Sequence, residues 1–145
     1  MTQETRYIAA FDAGTTAVKA ALMEESGRAV RTLSEDIPTF FESGFREQDP
    51  RDWWAAFCRL SLRLTDGVPP ERIEAVVMSG QMQDLIPLDG NLEPVCRAIL
   101  YSDGRAQEQA ERLERVVGAE RFEEITGNRC DGSLPLPKLV WLREE

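Results

Sequence analysis

The sequence predicts an α/β domain built on a mixed sheet. Residues 7–37 read as three consecutive strands joined by tight turns, and the chain after them alternates strand-like runs with amphipathic helical stretches. Strands first, then strands alternating with helices, is the pattern of a sheet with antiparallel and parallel pairs. The length of 145 residues, with 42% hydrophobic and 30% charged side chains, is enough to bury a core and too apolar for disorder.

Each element has a local reason. Tyr7-Ile8-Ala9-Ala10-Phe11 is an apolar run closed by Asp12-Ala13-Gly14, a buried strand meeting a turn. Val18, Ala20 and Leu22 alternate along a second strand, and Glu25-Ser26-Gly27 turns the chain into a third over Ala29 to Ile37. The three form an antiparallel meander. A helix follows, with Asp49 as its cap, Pro50 as its first residue and Asp52 in its first turn. Trp53, Phe57, Leu60 and Leu64 make one apolar face, until Asp66-Gly67 and Pro69-Pro70 end the helix. That periodicity assigns Trp53 to the core and leaves Trp54, about 100° round the helix, unassigned.

Ile73 to Met78 is a strand that Ser79-Gly80 breaks. Leu85 to Leu88 and Ala98 to Tyr101 are expected as two further short strands around the Asp89-Gly90-Asn91 turn. Ala106, Ala110, Leu113 and Val117 mark a helix closed by Gly118; a short helix at Glu120 to Ile125 and a last one from about Pro137 complete the chain. It stops in Arg143-Glu144-Glu145, inside that helix, so an unfinished domain is expected.

Composition excludes several function classes. Seventeen basic against twenty-six acidic side chains give a net charge of −9, which would repel nucleic acid and anionic membrane. No apolar run approaches the roughly 20 residues needed to span a bilayer. The polar start, Met1 to Arg6, predicts no leader and so a cytoplasmic protein. Cys58, Cys96 and Cys130 are odd in number and form no metal-binding spacing, so reduced, partly buried thiols are expected. The absence of histidine removes Ser-His and Cys-His catalysis and His-ligated metal from these residues.

Three segments are candidates for chemistry. In Phe11-Asp12-Ala13-Gly14-Thr15-Thr16, followed by Lys19, a glycine-bearing turn joins two strands. Gly14 permits positive φ and close backbone approach, so N–H groups can face an anion; Thr15 and Thr16 add hydroxyls, and Asp12 can hold hydrated Mg²⁺. From spacing alone a plain β-turn serves equally well. The second segment, Ser79-Gly80-Gln81-Met82-Gln83-Asp84, lies at a strand's carboxyl end, where α/β proteins bind ligands. Gln81, Gln83 and Asp84 suit a ligand with several hydroxyls, although polar loop residues are common after strands. In Tyr101-Ser102-Asp103-Gly104-Arg105, Asp103 is expected to cap the next helix and Arg105 to pair with a carboxylate. Tyr101 faces either a ligand or the core.

Together these segments resemble the N-terminal part of the FGGY carbohydrate kinases, most closely their xylulokinase-like branch. The resemblance rests on six segments in order: FDAGTTAVKAAL (Phe11 to Leu22), EQDPRDWW (Glu47 to Trp54), SGQMQDLIPLD (Ser79 to Asp89), AILYSDGRA (Ala98 to Ala106), TGN (Thr126 to Asn128) and LPKLVWL (Leu136 to Leu142). It implies an actin-like ATPase, ribonuclease H-like fold with a mixed sheet, two such domains enclosing ATP and sugar. Residues 1–145 would be the N-terminal part of the first domain, and the second, ATP-side domain would be absent from this chain.

The resemblance also implies site residues. Asp12, Gly14, Thr15 and Thr16, with Lys19, would bind phosphate, with Asp12 near Mg²⁺ and the transferred phosphoryl. Gln81, Met82 and Gln83 match the sugar loop, Tyr101 an aromatic that is usually Trp, and Asp103 the aspartate soon after it. The xylulokinase-like loop usually reads Gln-Met-His-Gly; here Gln83 replaces the His and Asp84 the Gly, which opens the question of which sugar is used. The family's general-base Asp and adenosine pocket would lie beyond Glu145. The expected function is ATP- and Mg²⁺-dependent phosphoryl transfer to a ketose or polyol, by an enzyme of which this fragment alone would be inactive. A homodimer of the complete protein stays open. The rival readings are a non-catalytic actin-like sugar-binding module, an inactive truncated fragment, and an acetate-type or glucokinase-type kinase, against which the tryptophan-bearing and Gln-Met segments argue.

Overall fold

The structure is a computed structural model that describes residues 5–145; the polar start at Met1 to Glu4 lies outside the described residues. In chain order the elements are β1 (Tyr7–Ala13), β2 (Ala17–Glu24), β3 (Ala29–Asp36), β4 (Phe40–Glu42), β5 (Phe45–Gln48), α1 (Pro50–Leu64), a 3-10 turn (Pro70–Arg72), β6 (Ile73–Gly80), β7 (Ala98–Ile99), α2 (Gln107–Val117), α3 (Ala119–Thr126) and α4 (Pro135–Glu144). They form two compact units, the first running to Pro38 and including Arg51–Gln81, the second comprising Thr39–Pro50 and Met82–Glu145.

The first unit holds a four-stranded sheet in the order β3-β2-β1-β6. The expected meander is present, with Phe11 opposite Ala20 and Ala9 opposite Leu22. Strand β6 adds in parallel, setting Asp12 beside Ser79 and Ala13 beside Gly80. The sheet is therefore mixed. Its core joins Ala9, Phe11, Val18, Ala20, Leu22 and Ile37 to Ala56, Leu60 and Leu64 of α1. The helical face read from the sequence is the one buried: Trp53 and Phe57 pack against this core. Trp54 is exposed and stacks on Phe57 at 5.4 Å between ring centroids. Arg31 of β3 donates from Nη1 to the carbonyls of Arg63, Leu64 and Asp66 at 2.8–3.0 Å, satisfying acceptors that the end of α1 leaves open.

The second unit holds a three-stranded antiparallel sheet in the order β4-β5-β7. Strands β4 and β5 were not anticipated, because three and four residues are too short to establish a period. Their two-residue turn has positive φ at both Ser43 (52°) and Gly44 (88°), as a tight hairpin requires. The two strands expected around Asp89-Gly90-Asn91 reduce to β7 and two isolated bridges, Leu85 with Ile99 and Leu88 with Pro94. Pro87 and Pro94 interrupt the ladder because neither has an N–H to donate. Helices α2, α3 and α4 fall where the apolar spacing predicts, α2 closing at Gly118 and α3 at Gly127. Among the described residues no helix is long and apolar enough to cross a membrane. The three cysteines are free; Cys58 and Cys130 are half-buried, whereas Cys96 is exposed rather than partly buried.

Candidate functional site

In the first unit the candidate residues gather at the carboxyl end of β1. Pairing sets Lys19 of β2 on one side of Asp12 and Ser79 of β6 on the other. Asp12 is exposed, and its Oδ1 accepts a hydrogen bond from the Ser79 hydroxyl at 2.9 Å. Ser79 opens the second candidate segment, but its place opposite Asp12 follows only from the parallel register.

The turn itself corrects one expectation. Gly14 does not adopt positive φ, and its N–H donates to Ala17 O at 3.1 Å, closing the turn. Close approach is what requires a glycine: a Cβ there would stand 3.2 Å from Ala17 O and 3.8 Å from Asp12 Oδ2. The missing side chain keeps space open beside the Asp12 carboxylate. Thr16 is exposed and its carbonyl accepts from Ile37 N, while the half-buried Thr15 lies between Gly14 and Thr16. An open cavity of about 550 Å³ on this face is lined by Asp12, Lys19, Thr32, Ser34 and Ser79.

These residues fit a hydrated cation only in one manner. Mg²⁺ usually keeps several waters and takes one or two carboxylates plus phosphate oxygens. The exposed Asp12, with room at its Oδ2, matches that chemistry. Among the described residues no cluster of three or more His, Cys, Asp or Glu offers a cage.

Gln81 ends the first unit, and its N–H donates to Ala13 O at 2.9 Å. Met82 and Gln83 begin the next stretch of the second unit and are both exposed. Gln83 has φ of 65°, an unusual left-handed conformation for a residue with a side chain.

In the second unit polar groups gather at the end of β7. The bridge between Leu85 and Ile99 brings Asp84 to Tyr101, whose N–H donates to Asp84 Oδ1 at 2.7 Å. Tyr101 is exposed and Asp103 is fully buried. Asp103 does not cap α2, whose first turn begins after Ala106 with no side-chain cap. Its carboxylate instead accepts from the Arg46 N–H at 2.6 Å, the Arg105 N–H at 2.9 Å and the Arg105 guanidinium at 2.7 Å. With two backbone N–H groups and two guanidinium nitrogens so close, the carboxylate is held at the turn before α2 rather than at the start of the helix.

Arg105 pairs with a carboxylate as expected, and its partners are Asp103 and Glu47, the latter at 2.9 Å. It also lies over the rings of Phe45 and Trp141, at 3.8 and 4.8 Å from their centroids. Burial is the largest influence on the Asp103 carboxyl and pushes it up, but the Arg105 guanidinium and the two backbone N–H groups together bring it below the usual carboxylate range. Asp84 goes the other way: burial raises its carboxyl above the ordinary value despite the Tyr101 N–H.

Sequence reasoning missed Glu47, Trp141 and Lys138 as members of this cluster. All three stand in segments that carried the resemblance, but their meeting depends on long-range pairing. Lys138 is fully buried and donates from Nζ to Leu100 O at 2.7 Å and Gln83 O at 3.3 Å.

The family model for the N-terminal domain of the FGGY family of carbohydrate kinases matches residues 7–145. The chain belongs to the FGGY family of carbohydrate kinases. This FGGY chain is similar to the xylulose kinase of Lactococcus lactis, with 34% identity over 95% of the chain and 28% of that protein. It is 37% identical to the xylulose kinase of Streptomyces rubiginosus over 97% of the chain and 29% of that protein. It therefore spans less than a third of the length of these relatives. Among solved structures it superposes on a gluconate kinase from Lactobacillus acidophilus with a TM-score of 0.89, at 29% identity over 98% of the chain and 29% of the other. A glycerol kinase from Plasmodium falciparum, at 17% identity over 97% of the chain and 29% of the other, shares the fold with a TM-score of 0.81. The fold is the α/β, actin-like, ribonuclease H-like one with a mixed sheet, represented here by its N-terminal part.

Proposed function

We propose that this FGGY chain is the N-terminal part of an ATP-dependent sugar kinase that transfers the γ-phosphoryl of ATP to a hydroxyl of a xylulose-like ketose or polyol. The observation that carries the reading is the exposed Asp12 at the end of β1, bonded to Ser79 and set beside the space that Gly14 leaves. The relatives it resembles are xylulose kinases, which supports the substrate class.

Such transfers depend on positioning and on neutralising phosphate charge. When bound, Mg²⁺ would supply positive charge to the phosphate oxygens, with Asp12 as its protein ligand. Ser79, by donating to Oδ1, fixes the rotamer of that carboxylate. Gly14 keeps the approach clear, and Thr15, Thr16 and Lys19 would hold the phosphoryl. Gln81 and Gln83 would orient the sugar hydroxyls, Met82 and Tyr101 would flank the sugar, and Asp103 would act through Arg105, since its own oxygens are engaged. The base that takes the hydroxyl proton is proposed outside residues 1–145, as is the second, ATP-side domain. A cytoplasmic protein, acting alone or as a homodimer, completes the proposal.

The test is ADP release by the natural gene product over a panel of ketoses, polyols and aldonic acids. Release that depends on one of them supports the kinase reading and identifies the acceptor. Sugar binding without ADP release would replace it with a binding module.

A further inference from the structure

We infer that Lys138, together with Asp84, is a positioning residue that locks the loop at Met82–Asp84 onto the turn at Leu100–Asp103. The inference rests on the proposed sugar-kinase reading, in which both segments meet the acceptor. Lys138 projects from the first turns of α4, fully buried, and its ammonium reaches the carbonyls of Leu100 and Gln83. Asp84 makes the reciprocal tie from the loop, accepting from the Tyr101 N–H. The two segments are thus joined twice, by charged groups bonded to backbone. Such bonds are stronger than neutral ones.

Two features argue that this junction does more than hold the fold. A buried ammonium is expensive to desolvate, so a buried charge is weak evidence of a stabilising role. Stability alone therefore does not account for a lysine here. In addition, the carbonyl that Lys138 holds belongs to Gln83, a side-chain-bearing residue in the left-handed region at φ of 65°. Strained backbone of this kind persists where surrounding contacts over-determine it, and it concentrates at ligand-holding sites. The clamp sets where the Gln83 side chain projects and, through Leu100 and Asp84, where Tyr101 begins. Burial pushes the Lys138 ammonium pKa down while the carboxylates of Asp103 and Asp84 oppose that shift, as expected for a cation enclosed with acidic neighbours.

The experiment uses the natural gene product with Lys138→Met, which keeps volume and removes the donor, and with Asp84→Ala, which removes the other tie at a half-buried position. For each, steady-state KM is measured separately for sugar and ATP, and amide hydrogen exchange is followed at Gln83 to Tyr101. The clamp predicts at least a tenfold rise in sugar KM with ATP KM within twofold. It also predicts faster exchange confined to the Tyr101 amide and the Gln83–Asp84 segment. An unchanged sugar KM in an active variant, with exchange as in the parent, would overturn the positioning role. If Lys138→Met does not fold, Asp84→Ala carries the same two readouts. If the unsubstituted protein shows no sugar-dependent ADP release, the kinase reading fails, and the exchange pattern alone still decides whether the clamp exists.

Discussion

Asp12 and Arg105 stand at opposite ends of what one residue can do here. Asp12 is exposed and bonded to a single serine hydroxyl, so its removal leaves no buried group without a partner. Asp12→Ala in the complete protein should leave sugar binding and melting temperature nearly unchanged while slowing turnover a hundredfold or more, about 3 kcal/mol. Isothermal titration with sugar beside a turnover assay checks both halves, and unchanged turnover would remove Asp12 from the phosphoryl site. Arg105 is the reverse, a buried cation between two carboxylates and two aromatic rings. Arg105→Met would strand Asp103 as an uncompensated buried charge, which costs about 3–5 kcal/mol, and urea titration reads the loss.

The pH dependence of that pair has a definite sign. The folded Asp103 carboxyl lies below its ordinary value, so its contribution is complete above the unfolded pKa of about 3.9. It fades as pH falls from there through the folded value. Asp84, whose carboxyl burial raises, has the opposite sign, contributing most in acid and losing that contribution as pH rises through its folded value. The urea midpoint should therefore decline below about pH 4, and Asp103→Asn, less stable at neutral pH, should show a shallower decline. Equal acid slopes for the two proteins would show that the Asp103 pair does not carry this effect.

At the scale of elements, helix α1 shows how local signals and one distant residue share the work. Its start at Pro50, its apolar face and its end near Asp66-Gly67 are readable from order and period. The group that satisfies its last carbonyls is not, because Arg31 arrives from β3. Arg31→Met should lower unfolding free energy by about 1–2 kcal/mol, visible as a shift of the urea midpoint with an unchanged slope. The β4–β5 hairpin teaches the converse. Its Ser43-Gly44 turn is a legible signal, but strands of three and four residues, set between Pro38 and Asp49-Pro50, carry too little pattern to establish a period. The strand expected at Leu85 to Leu88 failed for a reason also present in the sequence, the two prolines that cannot extend a ladder.

For the molecule as a whole, the first unit's sheet ends in an uncovered strand. Val76, Val77 and Met78 of β6 are each half or more exposed, and successive residues point to opposite faces, so both faces of this edge are open. A parallel, apolar edge of this kind invites pairing with another chain. Residues 1–145 made alone should therefore scatter light and bind a hydrophobic dye as concentration rises. Val77→Lys should reduce both without lowering the melting temperature. A dye-silent, monodisperse chain would show that this edge does not drive association.

The sequence by itself determined the class of fold, the order of its larger elements and the strand-end segments in which the candidate residues lie. Those properties follow from local period, turn chemistry and motif order, which need no knowledge of what lies across the sheet. It also placed Asp12, Gly14, Gln81 and Gln83 at strand ends, because a strand and the break after it are local events. Only the tertiary structure decided the partnerships: Ser79 with Asp12 through parallel register, Arg105 with both Asp103 and Glu47 where a helix cap was expected of Asp103, and Lys138 across to Gln83 and Leu100. The first joins two exposed groups through strand pairing; the other two join buried polar groups to partners that strand pairing and helix packing bring near. A single chain's local pattern does not encode which distant donor will satisfy which acceptor; burial makes such a match necessary, and the fold selects it.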